Sequence, residues 1–353
     1  MIDLPFPELR SASQATRPAG VVAPGMALID TLGRRHRDLR VSLTDRCSLR
    51  CRYCMPAEGL SWIPGEYLLS TEELLRLIGI ATRLGINRVR LTGGEPLLRP
   101  DVADVIAGIV SLPEAPEVSL TTNGIRLPAL ADTLASAGLR RVNISLDTLD
   151  ADTFRQLTLR DRFHDVLAGI RAAQNAGLAP VKINTVLLRG INDHEAPALL
   201  GWALEHGLNL RFIEQMPLDP QHGWDRGIMV TREEILQSLQ AAGFDLQPRR
   251  DRGSSPAEEF EVNGGPLTVG IVGSVTAPFC ASCDRVRLTA DGAWRNCLFA
   301  RHECDLRTPL RAGAGDAELA ALMSAEVRAK QPGHGVADPD FEQPARPMSA
   351  IGG

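Results

Sequence analysis

Between Leu39 and Gln215 the chain repeats one pattern: a short, β-branched run, then a longer helical one. The strand-like runs are Leu39–Thr44, Arg88–Thr92, Val118–Thr122, Arg141–Leu146, Val181–Leu187 and Leu210–Gln215. The helical runs between them are Thr71–Leu84, Asp101–Ser111, Pro128–Ala137, Phe163–Ala176 and His194–His206. Such alternation favours a parallel sheet with right-handed crossovers. Every second strand position is polar: Arg40, Ser42 and Thr44; Arg90 and Thr92; Ser119, Thr121 and Asn123; Asn143, Ser145 and Asp147; Lys182 and Asn184; Arg211 and Gln215. The positions between are mostly apolar, among them Val41, Leu91, Ile144 and Ile183. Side chains alternate faces along a strand, and crossover helices need an apolar face to cover, so the polar face points inward. A closed eight-stranded barrel would fill its interior with branched apolar residues. Six strands with a polar inner face imply an open barrel around a ligand-sized cavity. The competing reading is an antiparallel sheet with one solvated face.

Two cysteine groups decorate this pattern. Cys47, Cys51 and Cys54 follow the first strand, in Cys47-Ser48-Leu49-Arg50-Cys51-Arg52-Tyr53-Cys54. Three thiolates can hold three irons of a [4Fe–4S] cube and leave the fourth open to a small molecule. Cys280, Cys283 and Cys297 form a second trio, and Cys304 is left as a small buried or half-buried thiol. A structural zinc loop is the alternative, but one zinc site drawing on both trios would leave two ligands spare. Thr92-Gly93-Gly94-Glu95-Pro96 follows the second strand, with two glycines that let backbone approach a ligand closely.

The Cys-x3-Cys-x2-Cys run with Tyr53 before its last cysteine resembles the signature of radical S-adenosylmethionine enzymes. That resemblance implies a six-stranded partial (β/α)6, TIM-like barrel of the radical S-adenosylmethionine type, whose open iron chelates S-adenosylmethionine. It further implies that Gly94 receives the methionyl amino group, Tyr53 and Met216 the adenine, and Ser145 the carboxylate or ribose. The second trio, Asp284-Arg285-Val286-Arg287 and a chain ending Met348-Ser349-Ala350-Ile351-Gly352-Gly353 narrow the likeness to the GTP 3′,8-cyclase family, also called molybdenum-cofactor biosynthesis protein A. The family likeness implies two [4Fe–4S] clusters, with the second binding the guanine edge of GTP. It places Arg40, Arg90, Thr121, Lys182, Arg285, Val286 and Arg287 on the substrate, and gives catalytic roles to Arg40, Arg285, Arg287 and the Gly352-Gly353 tail. Its reaction is abstraction of the C3′ hydrogen of GTP by a 5′-deoxyadenosyl radical, then closure onto C8. Partners implied are an electron donor of flavodoxin or ferredoxin type and, downstream, cyclic pyranopterin monophosphate synthase; a homodimer is compatible.

Arginines and Lys182 on the inner face make independent sense around a triphosphate, since guanidinium groups bind phosphate oxygens bidentately. Three other readings remain open: a peptide-modifying radical enzyme with an auxiliary cluster, an electron carrier or iron sensor, and a zinc scaffold. At 353 residues and 44% hydrophobic, with no apolar run of ~18 residues, the chain has no candidate membrane span. Its start lacks a secretory pattern and its cysteines suit a reducing compartment, so a cytoplasmic location is expected. A net charge of −5 argues against a general nucleic-acid surface. The domain reading is a mobile extension over residues 1–25, with order beginning near Leu32, a barrel over 26–216, and a C-terminal α+β segment over 217–353 that closes the barrel's open side.

Overall fold

The computed structural model describes residues 27–352. The extension expected over residues 1–25, and Gly353, lie outside the described residues. Six parallel strands form the expected series: β1 (Asp38–Ser42), β2 (Arg88–Thr92), β3 (Glu117–Thr122), β4 (Arg141–Ser145), β5 (Val181–Val186) and β6 (Asn209–Ile213). Crossover helices α1 (Thr71–Arg83), α2 (Val102–Val110), α3 (Leu127–Ser136), α4 (Ala151–Thr158), α5 (Phe163–Asn175) and α6 (Ala196–Glu205) connect them. Leu39, Val41, Val89, Leu91, Leu120, Ile144 and Ile183 are all fully buried on the helix-covered side. α1 shows why these segments are helical: Ser70 and Glu73 form a capping box, and Leu74, Leu77, Ile78 and Ala81 make one buried stripe.

The structure departs from the sequence reading in three places. The β4–β5 crossover holds two helices rather than one; α4 is short and polar, begins where Asp150 caps Thr153 N–H, and ends at Leu159 with φ 54°. Order begins before Leu32: Leu28 is buried, donates its N–H to Leu84 O, and accepts from His36 N–H.

Thirdly, the C-terminal segment extends the sheet at both edges. After α7 (Arg232–Ala241), whose capping box pairs Thr231 with Glu234 as the sequence suggests, come β7 (Leu246–Pro248), β8 (Glu258–Val262), β9 (Thr268–Val272), β10 (Arg285–Leu288), β11 (Ala293–Arg295) and β12 (Cys304–Asp305). β9 pairs in parallel with β6, β10 in parallel with β1, and the remaining four add antiparallel outside them. The result is a twelve-stranded open sheet. Edge strands carry unpaired N–H and C=O groups, and the segment that brings the second cysteine trio also satisfies them. The chain then forms α8 (Arg307–Arg311), α9 (Asp316–Arg328) and the short α10 (Met348–Ile351).

Candidate active site

The first trio sits on a loop leaving the C-terminal end of β1, and its neighbours hold it from three sides. Gly94 N–H donates to Thr44 O at 2.7 Å and Glu95 N–H to Arg46 O at 2.7 Å. Arg50 and Arg52 N–H groups donate to Thr158 and Leu157 carbonyls at the end of α4. Asn123 Nδ2 donates to Ser48 Oγ, and Tyr53 Oη to Asp147 Oδ2 at 2.7 Å. The two glycines are needed for backbone contact with this loop: a Cβ on Gly93 would lie 2.4 Å from Thr44 O, and one on Gly94 2.4 Å from Asp45 O and Arg46 O. The close approach read in the sequence is therefore made first of all to the cysteine loop.

All seven cysteines are free and half-buried. Burial pushes Cys47 up to about 11 and Cys54 up to about 12, and raises Cys51 as well, where Asp147 and the other two thiols add negative charge. Three clustered thiols that resist ionisation suit a metal centre whose own positive charge stabilises them. Among the described residues no three His, Cys, Asp or Glu side chains are grouped closely enough to hold a single metal ion.

The second trio is set among cations. Cys280 and Cys283 flank a single helical turn just before β10, and Cys297 follows β11. Burial alone would raise Cys283, but Arg285 and Lys330 overcome it and bring the thiol down to about 7. Arg285 Nη2 and Lys330 Nζ each lie 3.4 Å from Cys283 Sγ, and the Arg285 guanidinium stacks on Phe279 at 4.2 Å. Both trios thus fit cluster ligation, through their donor sets.

Strand register assembles the rest. Arg40 on β1 is directly opposite Arg90 on β2 and Arg287 on β10, so three arginines stand abreast on the inner face. Arg211 joins them from β6, and all four line the cavity that Cys280, Cys283 and Cys297 close. Burial and then mutual repulsion lower Arg90 and Arg287 well below the usual guanidinium range; Arg211 falls to about 10. Asp38 offsets part of this charge and is held low by Arg40, Arg90, Arg285 and Arg88 against its burial. Arg40 Nε and Arg90 Nε are buried without hydrogen-bond partners, as are Asn184 Oδ1 and Gln215 Oε1. Buried, unsatisfied guanidinium groups are costly unless an anion meets them, and a polyphosphate supplies that charge with matched oxygens.

Most of the expected contacts come together here: Arg40, Arg90, Thr121, Met216, Arg285 and Arg287 all line this cavity. Two substrate candidates do not. Lys182 Nζ lies 3.3 Å from Glu259 of β8, an acid brought near only by the added edge. Val286 faces away, fully buried in the helix-side core, because strand alternation puts Arg285 and Arg287 inward and Val286 outward. Its backbone alone is available to a ligand. Tyr53, Gly94 and Ser145 cluster instead at the strand ends beside the first loop.

The tail meets this cavity. Met348 lines the arginine cavity, and Arg287 Nη1 donates to Gly352 O. Gly352 has φ 84°, and a Cβ there would meet Ser42 Cβ at 3.2 Å and Thr92 Cγ2 at 3.1 Å. Sequence reasoning did not single out Lys330, Phe279, Ser274 or His334 for this site. Asn184 and Arg211 were marked by the alternating pattern, whereas Lys330 lies 47 positions beyond its partner Cys283, with no local signal.

Residues 41–203 match the model of the Radical SAM superfamily, and residues 208–336 that of Molybdenum Cofactor Synthesis C. The GTP 3′,8-cyclase of Streptomyces coelicolor is 57% identical over 329 residues, covering 92% of this chain and 96% of that one. The GTP 3′,8-cyclase of Mycolicibacterium smegmatis is 53% identical over 352 residues, covering 98% and 97%. Among solved structures, Streptococcus suis SuiB bound to S-adenosylmethionine superposes with a TM-score of 0.55 at 14% identity, over 84% of this chain and 72% of that one. At that identity the likeness shows the fold.

Proposed function

The chain belongs to the radical S-adenosylmethionine superfamily and within it to the GTP 3′,8-cyclases, and from that premise we propose how its residues divide the work. The reaction converts GTP to (8S)-3′,8-cyclo-7,8-dihydroguanosine 5′-triphosphate, the first step of molybdenum cofactor biosynthesis, using two [4Fe–4S] clusters and S-adenosylmethionine. Cys47, Cys51 and Cys54 would hold one cluster, and Cys280, Cys283 and Cys297 the other. When bound, the first cluster supplies the electron that cleaves S-adenosylmethionine, releasing the 5′-deoxyadenosyl radical that takes the C3′ hydrogen of GTP.

The protein's share is positioning and exclusion of water. Arg40, Arg90 and Arg211 carry the triphosphate, on the observation that these three half-buried side chains line one cavity, with Arg40 and Arg90 side by side and their Nε atoms unpartnered. Arg285 and Arg287 hold the nucleoside beside the second cluster, with Phe279 stacking against Arg285. Thr121 and Lys182 complete the substrate set, the latter after leaving Glu259. Tyr53, Gly94, Ser145 and Met216 carry S-adenosylmethionine. Gly352 closes the site through Arg287, and Gly353 is kept as the second catalytic glycine of the tail. A primary carbon radical must meet one hydrogen and no other, and fixed geometry supplies that selectivity.

We read residues 26–216 and 217–353 as the two working units, an acidic one-electron donor of flavodoxin or ferredoxin type as the reductant, and a cyclic pyranopterin monophosphate synthase as the consumer of product. Among the described residues no helix is long and apolar enough to cross a membrane; we read the location as cytoplasmic from cysteines that suit a reducing compartment. The test is anaerobic incubation of the reconstituted protein with S-adenosylmethionine, dithionite and GTP deuterated at C3′. Deuterium should appear in 5′-deoxyadenosine; unlabelled 5′-deoxyadenosine formed equally without GTP would overturn the assigned site of attack.

A further inference from the structure

Before β1 the chain makes a turn whose side chains reach the second trio. Asp30 Oδ1 accepts Leu32 N–H and Arg34 N–H at 2.9 Å each, and Asp30 Oδ2 accepts Arg34 Nε at 2.5 Å, so the guanidinium is fixed on the carboxylate of its own turn. Its two other nitrogens reach away from that turn. Nη1 donates to Cys280 O at 2.7 Å and Nη2 to Gln331 O at 2.8 Å. The side chains are nearly closed to solvent, 8% exposed for Arg34 and 0% for Asp30. One planar fork thus ties the loop of the second trio to the segment that follows α9.

Lys330 immediately precedes Gln331 and is pinned from both sides. Its N–H donates to Val327 O at the end of α9, and the carbonyl after it is the one that Arg34 holds. The residue is 5% exposed. Its ammonium donates to Arg285 O at 2.7 Å and to Cys283 Sγ at 3.4 Å. Strand register leaves that carbonyl open to it: Asp284 O is taken by Arg37 and Asp38 N–H on the β1 side, and β11 pairs with β10 only at Arg287 and Leu288, so Arg285 O lies beyond the second ladder. Among the described residues no carboxylate forms an ion pair with Lys330. A buried ammonium is costly unless negative charge meets it, and the sulfur of Cys283 is where this one is aimed. Unlike Arg285, Lys330 does not line the substrate cavity.

We propose that Lys330 is a positioning residue of the second cluster: its ammonium, set in place by Arg34, offsets the charge on Cys283 and favours the reduced state of the cluster held there. This rests on the reading that Cys280, Cys283 and Cys297 ligate that cluster. Reduction adds negative charge, and a cation donating to a ligating sulfur lowers the cost of adding it; net charge and hydrogen bonds to the sulfurs set such potentials. The same ammonium fixes the start of β10, the strand from which Arg285 and Arg287 enter the cavity.

The test is a redox titration of the fully loaded protein without oxygen, followed by electron paramagnetic resonance. Added S-adenosylmethionine perturbs the first cluster, so the component that it leaves unchanged reports the second. In Lys330→Met that component should become harder to reduce, its reduction equilibrium falling about tenfold, which is about 59 mV for one electron. Iron content and the first component should stay as in the parent. Lys330→Arg, which keeps the charge, should titrate near the parent. Arg34→Gln should move the same component in the same direction by less, because the ammonium loses its tether and keeps its charge. Should Lys330→Met lose the second cluster, Lys330→Gln, which keeps a donor for Arg285 O, is read in its place. An unmoved midpoint in a cluster-replete variant overturns the proposal. So do equal shifts in Lys330→Met and Lys330→Arg, which would make the residue a packing element alone. If no component responds to Cys283→Ser, the ligand reading of the second trio fails and takes the proposal with it; a responding component whose midpoint ignores Lys330 sinks the proposal alone.

Discussion

The two cysteine loops carry the same number of thiols in different electrostatic settings, although burial raises Cys280 of the second as it raises the thiols of the first. Around Cys47, Cys51 and Cys54 burial dominates, with Glu95 and Asp147 adding negative charge against Arg50, and every thiol there is raised. Around Cys283 the neighbours are Arg285 and Lys330, and that thiol is lowered to about 7. The difference teaches what each loop is equipped to receive. The first depends on its metal for positive charge and is held by backbone contacts to the GGEP turn. The second has cations before any metal arrives, and the same cations extend into a cavity lined by Arg40, Arg90 and Arg287, which suits a polyanionic substrate sharing the site.

Removing ligands should break the comparison most sharply. Cys51→Ser should abolish reductive cleavage of S-adenosylmethionine, a loss larger than the ~100-fold typical for an outer-shell partner. Cys283→Ser should leave that cleavage measurable while eliminating cyclised product. Assaying 5′-deoxyadenosine and the cyclised nucleotide side by side checks both, and equal loss of both products in the two variants would mean the loops do not divide the labour.

Next in size is Gly94→Ala. Its Cβ would overlap Asp45 O and Arg46 O, so about 3 kcal/mol of stability should be lost and iron retention at the first loop should fall selectively. Iron content of Gly94→Ala proteins that also lack one trio or the other separates the two loops.

A pH experiment sharpens the contrast further. His36, beneath Lys330, is lowered to about 4 by burial and then by Lys330. Unfolded, it binds a proton below about 6.5, so between pH 4 and 6.5 the unfolded state holds more protons and stability rises with pH. Asp147, beside the first loop, is raised to about 6 by burial, against hydrogen bonds from Val186 N–H and Tyr53. There the folded state holds the extra proton between about 4 and 6, and stability falls as pH rises through that window. Each contribution is on the order of 3 kcal/mol, and the two oppose. Urea midpoints of the metal-free protein at pH 4.5 and 6 should respond accordingly: relative to the parent, His36→Gln tilts stability toward the acid side and Asp147→Asn toward the neutral side. Identical tilts would refute the assignment.

Tyr53→Phe should have the smallest effect. It removes one hydrogen bond to a carboxylate that retains Val186 N–H, costing about 2 kcal/mol and moving the Asp147 titration higher, as carboxyl-region infrared spectra would record. The second loop should be unaffected.

Much of this was legible in the chain. Period-two polarity on six strands marks an inner face, since a strand has only two sides, and the cysteine spacings mark two ligand sets. The capping-box spacing from Thr231 to Glu234 also marked a helix start. Legibility ended where partners are remote in sequence. That Lys182 pairs with Glu259, that Arg40 stands between Arg90 and Arg287, and that β9 and β10 complete opposite edges of one sheet follow from pairings across tens to hundreds of residues.

By itself the sequence determined the alternation, the inward polarity, the two thiol trios and the small residues at turn and tail, because each is a short-range pattern read within one element. Only the tertiary structure decided which arginines share a wall, which thiol is lowered by neighbouring cations, and that the tail meets Arg287 at Gly352. Those depend on burial and on distances between distant segments, and Coulomb and desolvation energies are set by that geometry rather than by spacing along the chain.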